Sequence, residues 1–304
     1  MMNRIGFLVM GAGLAALMAL PAAAGDNDWT KLPARTFDVK ALKIENTVGV
    51  LTVDVKNGGP VVLEVNGIER KVKRMTVRRD GDTLRIDSRG GDRNWRHWFD
   101  FFNFGRDDTK NLYVHLVIPR GMAVEVGGQV GKAVIGNTEG PLAFETAGNA
   151  DSRIGNVASA KIEVAGSGDI AVGNVAGNLS LEDSGSGNIR VGNAGNTRVE
   201  ISGSGSATVG RVKALSVEIA GSGDVSAAAV NGDTRVEISG SGSVGIKAGE
   251  ANPLHVEING AGDFKLAGVA VDPTIEVMGA GDVHLKSYRG KLTQEGNVHL
   301  TLGG

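Results

Sequence analysis

The chain has 304 residues, a formal net charge of −2, 47 glycines, 7 prolines and no cysteine. The charge balance argues against a dedicated nucleic-acid binder, and the lack of cysteine excludes disulfides, thiolate metal sites and thiol nucleophiles. Glycine is present at about twice its usual share of ~7%, but aliphatic residues are plentiful, so a disordered low-complexity chain is also excluded.

Residues 1–24 predict a secretory signal peptide. Arg4 supplies a positive charge, Ile5 to Leu20 is apolar, and "PAAA" ends at Ala24 with the small residues of a cleavage site. The apolar run is short for a membrane span and no second candidate follows it. We therefore expect an exported protein, in the periplasm or at the cell surface, with no transmembrane span after processing.

Residues 25–122 are predicted to form a β-rich N-terminal part that contains a basic stretch, "ERKVKRMTVRR". Val72, Met75 and Val77 are expected to point inward, so the pattern favours two solvated strands that turn at "DGD". The alternative is a contact surface for an anionic partner such as lipid phosphate or an acidic glycan. The candidate binding residues of this stretch are Arg70, Lys71, Lys73 and Arg74.

An aromatic segment, "NWRHWFDFFNFG", follows between Asn94 and Gly105. Its aromatic residues, all candidates for binding, are Trp95, Trp98, Phe99, Phe101, Phe102 and Phe104. One hypothesis is a cap over the apolar end of a repeat structure, whose strand edges must be covered. The other is a docking loop for an envelope membrane surface, a glycan or another envelope protein, because Trp and Phe dominate such contacts.

Residues 123–304 contain a repeat with a period near 19. The pattern Gly-x-Gly recurs with its first glycine at Gly166, Gly185, Gly203, Gly221, Gly240, Gly260 and Gly279. Degenerate copies around Gly128 and Gly148 bring the total to about nine units. The phrase "RVEISGSG" occurs twice, beginning at Arg198 and at Arg235.

Each unit alternates apolar and polar residues with period 2, which predicts short strands. Three strand-and-corner segments would close one coil, and successive coils would stack as parallel strands about 4.8 Å apart. The predicted fold is an all-β, right-handed parallel β-helix with a more irregular N-terminal part. Two interior columns are predicted: Ile170, Ile189, Ala207, Val225, Val244, Phe264 and Val283, and Val172, Val191, Val209, Ala227, Ile246, Leu266 and Leu285.

The repeated glycines are expected to form the corner of each coil, because glycine adopts a positive φ without steric cost. The succession "VEIAGSGDV", "VEISGSGSV", "VEINGAGDF" and "IEVMGAGDV" resembles the head GIN domain family of auto-transporter adhesins. The similarity covers about Thr36 to Leu285, including "TFDVKALKIENTVGVLTVDV" near its start. The resemblance implies a β-helical cell-envelope protein and provides no active site to transfer.

A column of glutamates is predicted on the outer face, three residues before each corner. It comprises Glu125, Glu145, Glu163, Glu182, Glu200, Glu218, Glu237, Glu257 and Glu276. Cationic residues two positions earlier, at Lys161, Arg198, Arg235 and His255, could offset the repulsion by lateral pairing. A solvated face is one interpretation, and a strip that binds cations or a basic partner is the other.

Aspartates follow several corners, at Asp169, Asp224, Asp263 and Asp282. Calcium-binding nonapeptide repeats also use aspartates, but their shorter period does not fit here, so we expect these side chains to cap backbone N–H groups.

No catalytic residues, metal ligands or cofactor are predicted. The main alternative is a glycan-active β-helix enzyme, a lyase or a hydrolase, whose cleft is built by long loops. The coils here keep an even length, which predicts flat sides without a groove wall. The sequence therefore favours an exported non-enzymatic β-solenoid, an envelope or adhesion-type binding or scaffold protein.

Overall fold

The structure, a computed structural model, describes residues 28–88 and 111–303. The predicted signal peptide and the aromatic segment lie outside the described residues. The N-terminal elements are β1 (Trp29–Lys31), β2 (Arg35–Phe37), β3 (Ala41–Glu45), β4 (Val48–Lys56), β5 (Val61–Ile68), α1 (Glu69–Arg74), β6 (Thr76–Asp80), β7 (Thr83–Asp87) and β8 (Leu112–Pro119).

The repeat region continues with strands on every coil. These are β9 (Ala123–Ile135), β10 (Pro141–Ile154), β11 (Ser159–Gly166), β12 (Asp169–Val172), β13 (Leu179–Asp183), β14 (Asn188–Val191), β15 (Asn196–Ile201), β16 (Ser206–Val212), β17 (Ala214–Ile219), β18 (Asp224–Ile238), β19 (Ser243–Ile246), β20 (Gly249–Gly260), β21 (Asp263–Val271), β22 (Thr274–Gly279), β23 (Asp282–Arg289), β24 (Thr293–Gly296) and β25 (His299–Leu302).

Each coil contributes one strand to each of two long sides. On the first side β11 pairs in parallel with β13, and β13 pairs with β15. On the second side β12 pairs with β14, and β14 pairs with β16. Longer strands such as β18 continue around a corner and pair on both sides. This topology confirms the predicted parallel β-helix with coils of about 19 residues.

The interior is built from columns of aliphatic side chains. In the first predicted column Ile170 faces Ile189, and the register continues coil by coil to Phe264 and Val283. The second column follows the same pairings two residues later, and the members of both columns are buried. Both predicted columns are therefore confirmed, and burial of β-branched and leucine side chains along the axis stabilises the stack.

The N-terminal end of the stack is covered by antiparallel strands. β3 and β4 stack in parallel on β9, and β7 and β8 stack on β3 and β4. Beyond them β6 pairs antiparallel with β7, and β5 pairs antiparallel with β8. The three-residue strands β1 and β2 then line β5, and such short edge strands limit further pairing. The boundary at residue 122 between an N-terminal part and the repeat region stays a prediction.

The corner glycines are required for a reason other than the predicted one. Gly128, Gly148, Gly260 and Gly279 have a positive φ, but the five glycines between Gly148 and Gly260 that begin Gly-x-Gly do not. At each of those five positions a Cβ atom would lie between 1.9 and 2.5 Å from the carbonyl oxygen of the corresponding glycine one coil earlier. Close approach of stacked backbones, rather than a left-handed conformation, therefore excludes side chains at most corners.

Candidate functional site

The basic stretch forms a helix where the sequence predicted a strand. α1 has Glu69 in its first turn and Lys71, Lys73 and Arg74 in its last, charges that favour the helix dipole at both ends. Val72 is buried, and Lys73 Nζ lies 2.7 Å from Glu69 Oε1, one turn away. Because α1 has only six residues, its position depends on this packing more than on helix propensity.

The remainder of the basic stretch agrees with the prediction. β6 and β7 form an antiparallel hairpin that turns at Gly81, within "DGD". Met75 and Val77 pack against the core, as does the buried Val72. Arg78 and Arg79 are exposed on β6, the edge strand of the first side, where charged residues discourage pairing with another chain.

The exposed cations of α1 lie beside an exposed aromatic pair. The backbone N–H of Glu69 donates to the carbonyl of Asp28 at 2.8 Å, and Trp29 is the β1 partner of Ile68. Trp29 is 56% exposed, and its ring centroid lies 5.7 Å from that of Tyr113 on β8. We call Trp29, Tyr113 and α1 the N-terminal patch. Trp29 was missed by the sequence analysis, because only tertiary pairing of β1 with β5 brings it to α1.

The chain also passes beside this patch at the start of β8. Asn111 is the first described residue after the aromatic segment, and its carbonyl accepts a hydrogen bond of 3.0 Å from the N–H of Ile68. Trp95, Trp98, Phe99, Phe101, Phe102 and Phe104 themselves lie outside the described residues, so both hypotheses about them stay predictions.

The glutamate column is present on the first side with one correction. Glu145 faces Glu163, and the register continues without a break through Glu276 to Glu295. The inclusion of Glu125 was wrong, because Val126 stacks on Phe144 and this register places Glu125 opposite Ala143. The register of β9 against β10 then shifts twice, between Phe144 and Thr146 and between Thr146 and Ala150, and runs evenly from Ala150 to Ile154.

Lateral ion pairs join this column to the neighbouring one. Lys161 pairs with Glu163 and, at 3.6 Å, with Glu182 of the next coil. Arg198 pairs in the same way with Glu200 and, at 3.2 Å, with Glu218. The third cation, Arg235, lies 4.0 Å from both Glu237 and Glu257. Each cation thus serves its own coil and the following one, and the predicted lateral pairing is confirmed for these three.

Glu145 lies near the start of the column and makes no ion pair with a described residue. Partial burial, followed by repulsion from Glu163 and Glu125, raises the pKa of its carboxyl, while Lys161 and Lys43 oppose the shift. Lys43 is itself held by Glu125, with Nζ 2.5 Å from Oε1.

The aspartates after the corners act within the backbone stack. Asp224 Oδ1 accepts from the N–H of Ser243 at 3.2 Å, and Asp263 Oδ1 accepts from the N–H of Asp282 at 3.3 Å. In the part of the chain that the structure describes, no group of three or more histidine, aspartate or glutamate side chains is arranged to hold a metal ion. The capping role is confirmed at these two positions.

A second polar ladder, of asparagines, was missed by the sequence analysis. The N–H of Asn156 donates to Asn137 Oδ1 at 2.8 Å, and the N–H of Asn174 donates to Asn156 Oδ1 at 2.8 Å. Asn193 extends the ladder, accepting from the N–H of Arg211 at 2.9 Å. The signal was present in the sequence as Gly-Asn pairs at the coil period. These side chains bond successive coils at the end of the second side.

The sides are not flat, which corrects another expectation. A groove of about 700 Å³ runs along the rod beside the glutamate column, across coils that begin near Ser159, Asn178, Asn196, Ala214 and Asp233. We call it the axial groove. Its lining includes all three ion-paired cations and one carboxylate, Asp233. No long loop in the described part of the chain lines the groove, and along one of its columns long cationic side chains alternate with serines.

Two of the four described histidines, His115 and His299, contact aspartates at the surface. His115 Nε2 lies 2.9 Å from Asp54 Oδ2, and His299 Nδ1 lies 2.6 Å from Asp282 Oδ1. Both pairs lie on the second side, away from the axial groove. They add no nucleophile or acid–base pair to it.

Solved structures resemble the chain over most of its length at low sequence identity. A putative adhesin from Parabacteroides distasonis has 17% identity and a TM-score of 0.44, with 91% of this chain and 98% of that chain covered. A putative adhesin from Parabacteroides merdae has 14% identity and a TM-score of 0.40, with coverage of 91% and 98%. A putative lipid binding protein from Parabacteroides distasonis has 12% identity and a TM-score of 0.39, with coverage of 92% and 96%.

No curated protein gives a significant match. Among the described residues no helix is long and apolar enough to cross a membrane. A family model described as "Putative auto-transporter adhesin, head GIN domain" matches residues 42–230, which is more than half of the chain. The protein therefore belongs to the head GIN domain family that this model describes.

Proposed function

We propose that the protein is an exported, non-enzymatic binding protein of the adhesion type. Its N-terminal patch would contact an anionic surface of the cell envelope, and the coils would act as a spacer or scaffold. The observation that supports this most directly is the juxtaposition of exposed cations and an exposed tryptophan at one end of the rod.

Export is supported by the first residues and by the family. Residues 1–24 have the charged, apolar and small-residue regions of a signal peptide. The family description, auto-transporter adhesin, fits a protein of the periplasm or the cell surface. A chain without cysteine is compatible with an oxidising compartment, because no disulfide can form incorrectly there.

The chemistry of the N-terminal patch suits an anionic membrane surface. Arg70 and Arg74 are exposed and make no ion pair with other described residues. A Lys or Arg close to an anionic membrane contributes roughly 1 kcal/mol of binding free energy. Tryptophan is favoured at the same interface because its ring is apolar and its N–H is polar.

The enzymatic alternative has less support. Glycoside hydrolysis needs two carboxyl groups at a set separation across the bond that is cleaved. The axial groove is lined by one carboxylate, Asp233, and the glutamates beside the groove are held in ion pairs with its cations. These residues supply polar contacts without the acid and base that the reaction requires.

Co-sedimentation with lipid vesicles tests the proposal. The probe is a vesicle of phosphatidylcholine with about 30% of the anionic lipid phosphatidylglycerol. The processed protein is expected to bind these vesicles, and its binding should weaken as added salt screens the charges. The double variant Arg70→Glu and Arg74→Glu should bind at least about tenfold more weakly, because reversing each cation removes roughly 1 kcal/mol or more.

The matched control changes the same charge elsewhere. Arg190→Glu with Lys265→Glu alters two exposed cations of the second side and should leave vesicle binding unchanged. Equal loss in both double variants would mean that net charge, rather than the N-terminal patch, determines binding. Failure of the wild-type protein to bind anionic vesicles would contradict the proposed partner.

The aromatic segment is tested separately. As a docking loop, Trp95→Ala with Trp98→Ala should change the melting temperature by no more than about two degrees, less than 1 kcal/mol for a chain of this size, while vesicle retention falls. As a cap, the same rings would be buried, and their removal should cost several kcal/mol of stability. A large loss of stability would remove this segment from the contact surface.

A further inference from the structure

The axial groove has a repeat of two coils rather than one. The column that lines it reads Lys161, Ser180, Arg198, Ser216 and Arg235 in successive coils. Each serine leaves a notch between two long cationic side chains. With coils about 4.8 Å apart, the two notches, at Ser180 and Ser216, lie about 10 Å from each other.

The buried residues next to this column also alternate in size, with a large side chain where the outer residue is small. Leu179 and Leu215 precede the two serines, whereas Thr197 and Thr234 precede the two arginines. A leucine fills the core where the outer residue is small, and a smaller residue fills it where the outer residue is long. The two-coil repeat is therefore present on both faces of these strands, in the outer column that lines the groove and in the buried residues next to it.

The notches expose polar groups that have no partner inside the protein. Among the described residues the side chains of Asn178, Asn196, Ser180 and Ser216 make no hydrogen bond to another residue, and all four line the groove. Leu179 and Leu215 are buried beneath them. The notches therefore offer polar contacts, and their hydroxyl and amide groups can form hydrogen bonds with the hydroxyls of a sugar chain.

The charges of the groove select against a polyanion. Its three cations are paired with six glutamates, so the surroundings of the groove are net negative. The exposed cations and carboxylates can also donate to and accept from sugar hydroxyls.

We propose that the axial groove binds a neutral linear glycan that lies along the rod axis. The notch spacing is close to the length of one disaccharide in an extended chain, so each pair of coils would hold one disaccharide. This site uses other residues than the N-terminal patch, and it goes beyond the anionic contact proposed above.

Calorimetric titration with defined oligosaccharides tests the proposal on the processed protein. The neutral probes are cellohexaose and chitohexaose, and the anionic probe is a heparin hexasaccharide. At least one neutral hexasaccharide should bind with a Kd below 1 mM, which corresponds to about 4 kcal/mol. The matching disaccharide should bind at least about tenfold more weakly, since it occupies one notch only.

Filling the notches gives the sharper test. Ser180→Arg with Ser216→Arg should reduce the affinity for the hexasaccharide at least tenfold. The control Ser226→Arg with Thr301→Arg adds the same charge to the outer face of the second side and should leave it unchanged. Chemical shifts of the Ser180 and Ser216 amides in the wild-type protein give a readout that does not depend on folding of a variant.

Three outcomes would overturn the proposal. They are no binding of either neutral hexasaccharide, equal binding by the notch-filled variant, and tighter binding of the heparin hexasaccharide than of the neutral probes. The variant Arg70→Glu with Arg74→Glu should retain glycan binding, so failure of this site and failure of the N-terminal patch are distinguishable.

Discussion

At the scale of single residues, the corner glycines illustrate how stacking constrains the sequence. From Gly166 to Gly279, a Cβ atom added to the first glycine of a corner would lie 1.9 to 2.5 Å from a carbonyl oxygen of the coil before it, so a single methyl group has no space. The constraint follows from the stacking of coils. The sequence shows that glycine is required at these positions but gives no indication of which of the two physical reasons applies.

Replacing Gly221 by alanine should therefore destabilise the protein. The new Cβ would lie 2.5 Å from the carbonyl oxygen of Gly203, and overpacking of this kind costs about 1–3 kcal/mol. Gly245→Ala is the matched control, because nothing lies within 4 Å of its Cβ position and its φ is not positive. Urea unfolding of both variants measures the difference, and equal stabilities would contradict the steric explanation.

Asp183 is a charged residue in an interior column that is otherwise aliphatic at the neighbouring coils. It is buried between Val164 and Ile201, where other coils place aliphatic side chains. The N–H of Gly185 donates to its Oδ1 at 2.8 Å, whereas its Oδ2 is buried without a hydrogen-bond partner. Burial raises the pKa of this carboxyl, and the hydrogen bond from Gly185 opposes the shift.

The raised pKa predicts a pH-dependent effect of Asp183→Asn. The folded protein binds this proton more tightly than the unfolded chain, so the contribution to stability falls as pH rises from the ordinary aspartate pKa through the raised value. The stability of the variant minus that of the wild type should therefore be larger at pH 7 than at pH 4. Urea unfolding at both pH values tests this, and a constant difference would contradict it.

At the scale of elements, the ladders show what the sequence could and could not predict. The interior columns follow from period-2 alternation combined with the coil period, and both were predicted residue by residue. Glu125 was misplaced because the irregularity in β9 is determined by the packing of Val126 on Phe144. α1 was missed because six residues contain too little periodicity to distinguish a helix from a strand.

The candidate sites were harder to predict than the columns. The cations of α1 were identified from their density in the sequence, but Trp29 joins them only through the antiparallel pairing of β1. The axial groove was not predicted, because its lining repeats every two coils whereas the glycine corners repeat in every coil. Comparison of alternate coils, which share Thr-Arg or Leu-Ser, would have indicated it.

The ion pairs between the glutamate column and the neighbouring cation column should contribute modestly to the free energy of unfolding, and that contribution should depend on salt. Arg198→Ala removes the cation shared by Glu200 and Glu218, and exposed pairs of this kind contribute about 0.2–1 kcal/mol each. The loss should shrink in 1 M NaCl, where screening acts over about 3 Å. Ser216→Ala in the same column is the control, and a loss that is independent of salt would indicate packing instead.

At the scale of the whole molecule, the stack has the character of a rod whose stability comes from contacts between neighbouring coils. About nine coils spaced about 4.8 Å apart give a length of roughly 40 Å. Every coil is bonded to the next through backbone pairs, aliphatic columns and polar ladders. Such a rod separates its two ends by a fixed distance, which suits a spacer.

Calcium should leave the stability of this rod nearly unchanged. The aspartates at the corners bond to backbone groups, and a row of filled metal sites would instead add RT ln(1 + [L]/Kd) for each site. Thermal unfolding with and without millimolar calcium is the measurement. A rise of about ten degrees, which would require several kcal/mol, would restore the metal-binding interpretation.

The alternation of cation and serine along the axial groove has a consequence for how such a chain can change in length. The two closest copies in the sequence begin at Arg198 and Arg235, which are two coils apart. Loss of a single coil would set two arginines or two serines side by side and leave carboxylates of neighbouring coils without a shared cation. Loss or gain of two coils between Lys161 and Arg235 would keep cation and serine in alternation and leave each cation beside its glutamates. The repeating unit of this part of the rod is therefore a pair of coils, 37 residues from Arg198 to Arg235.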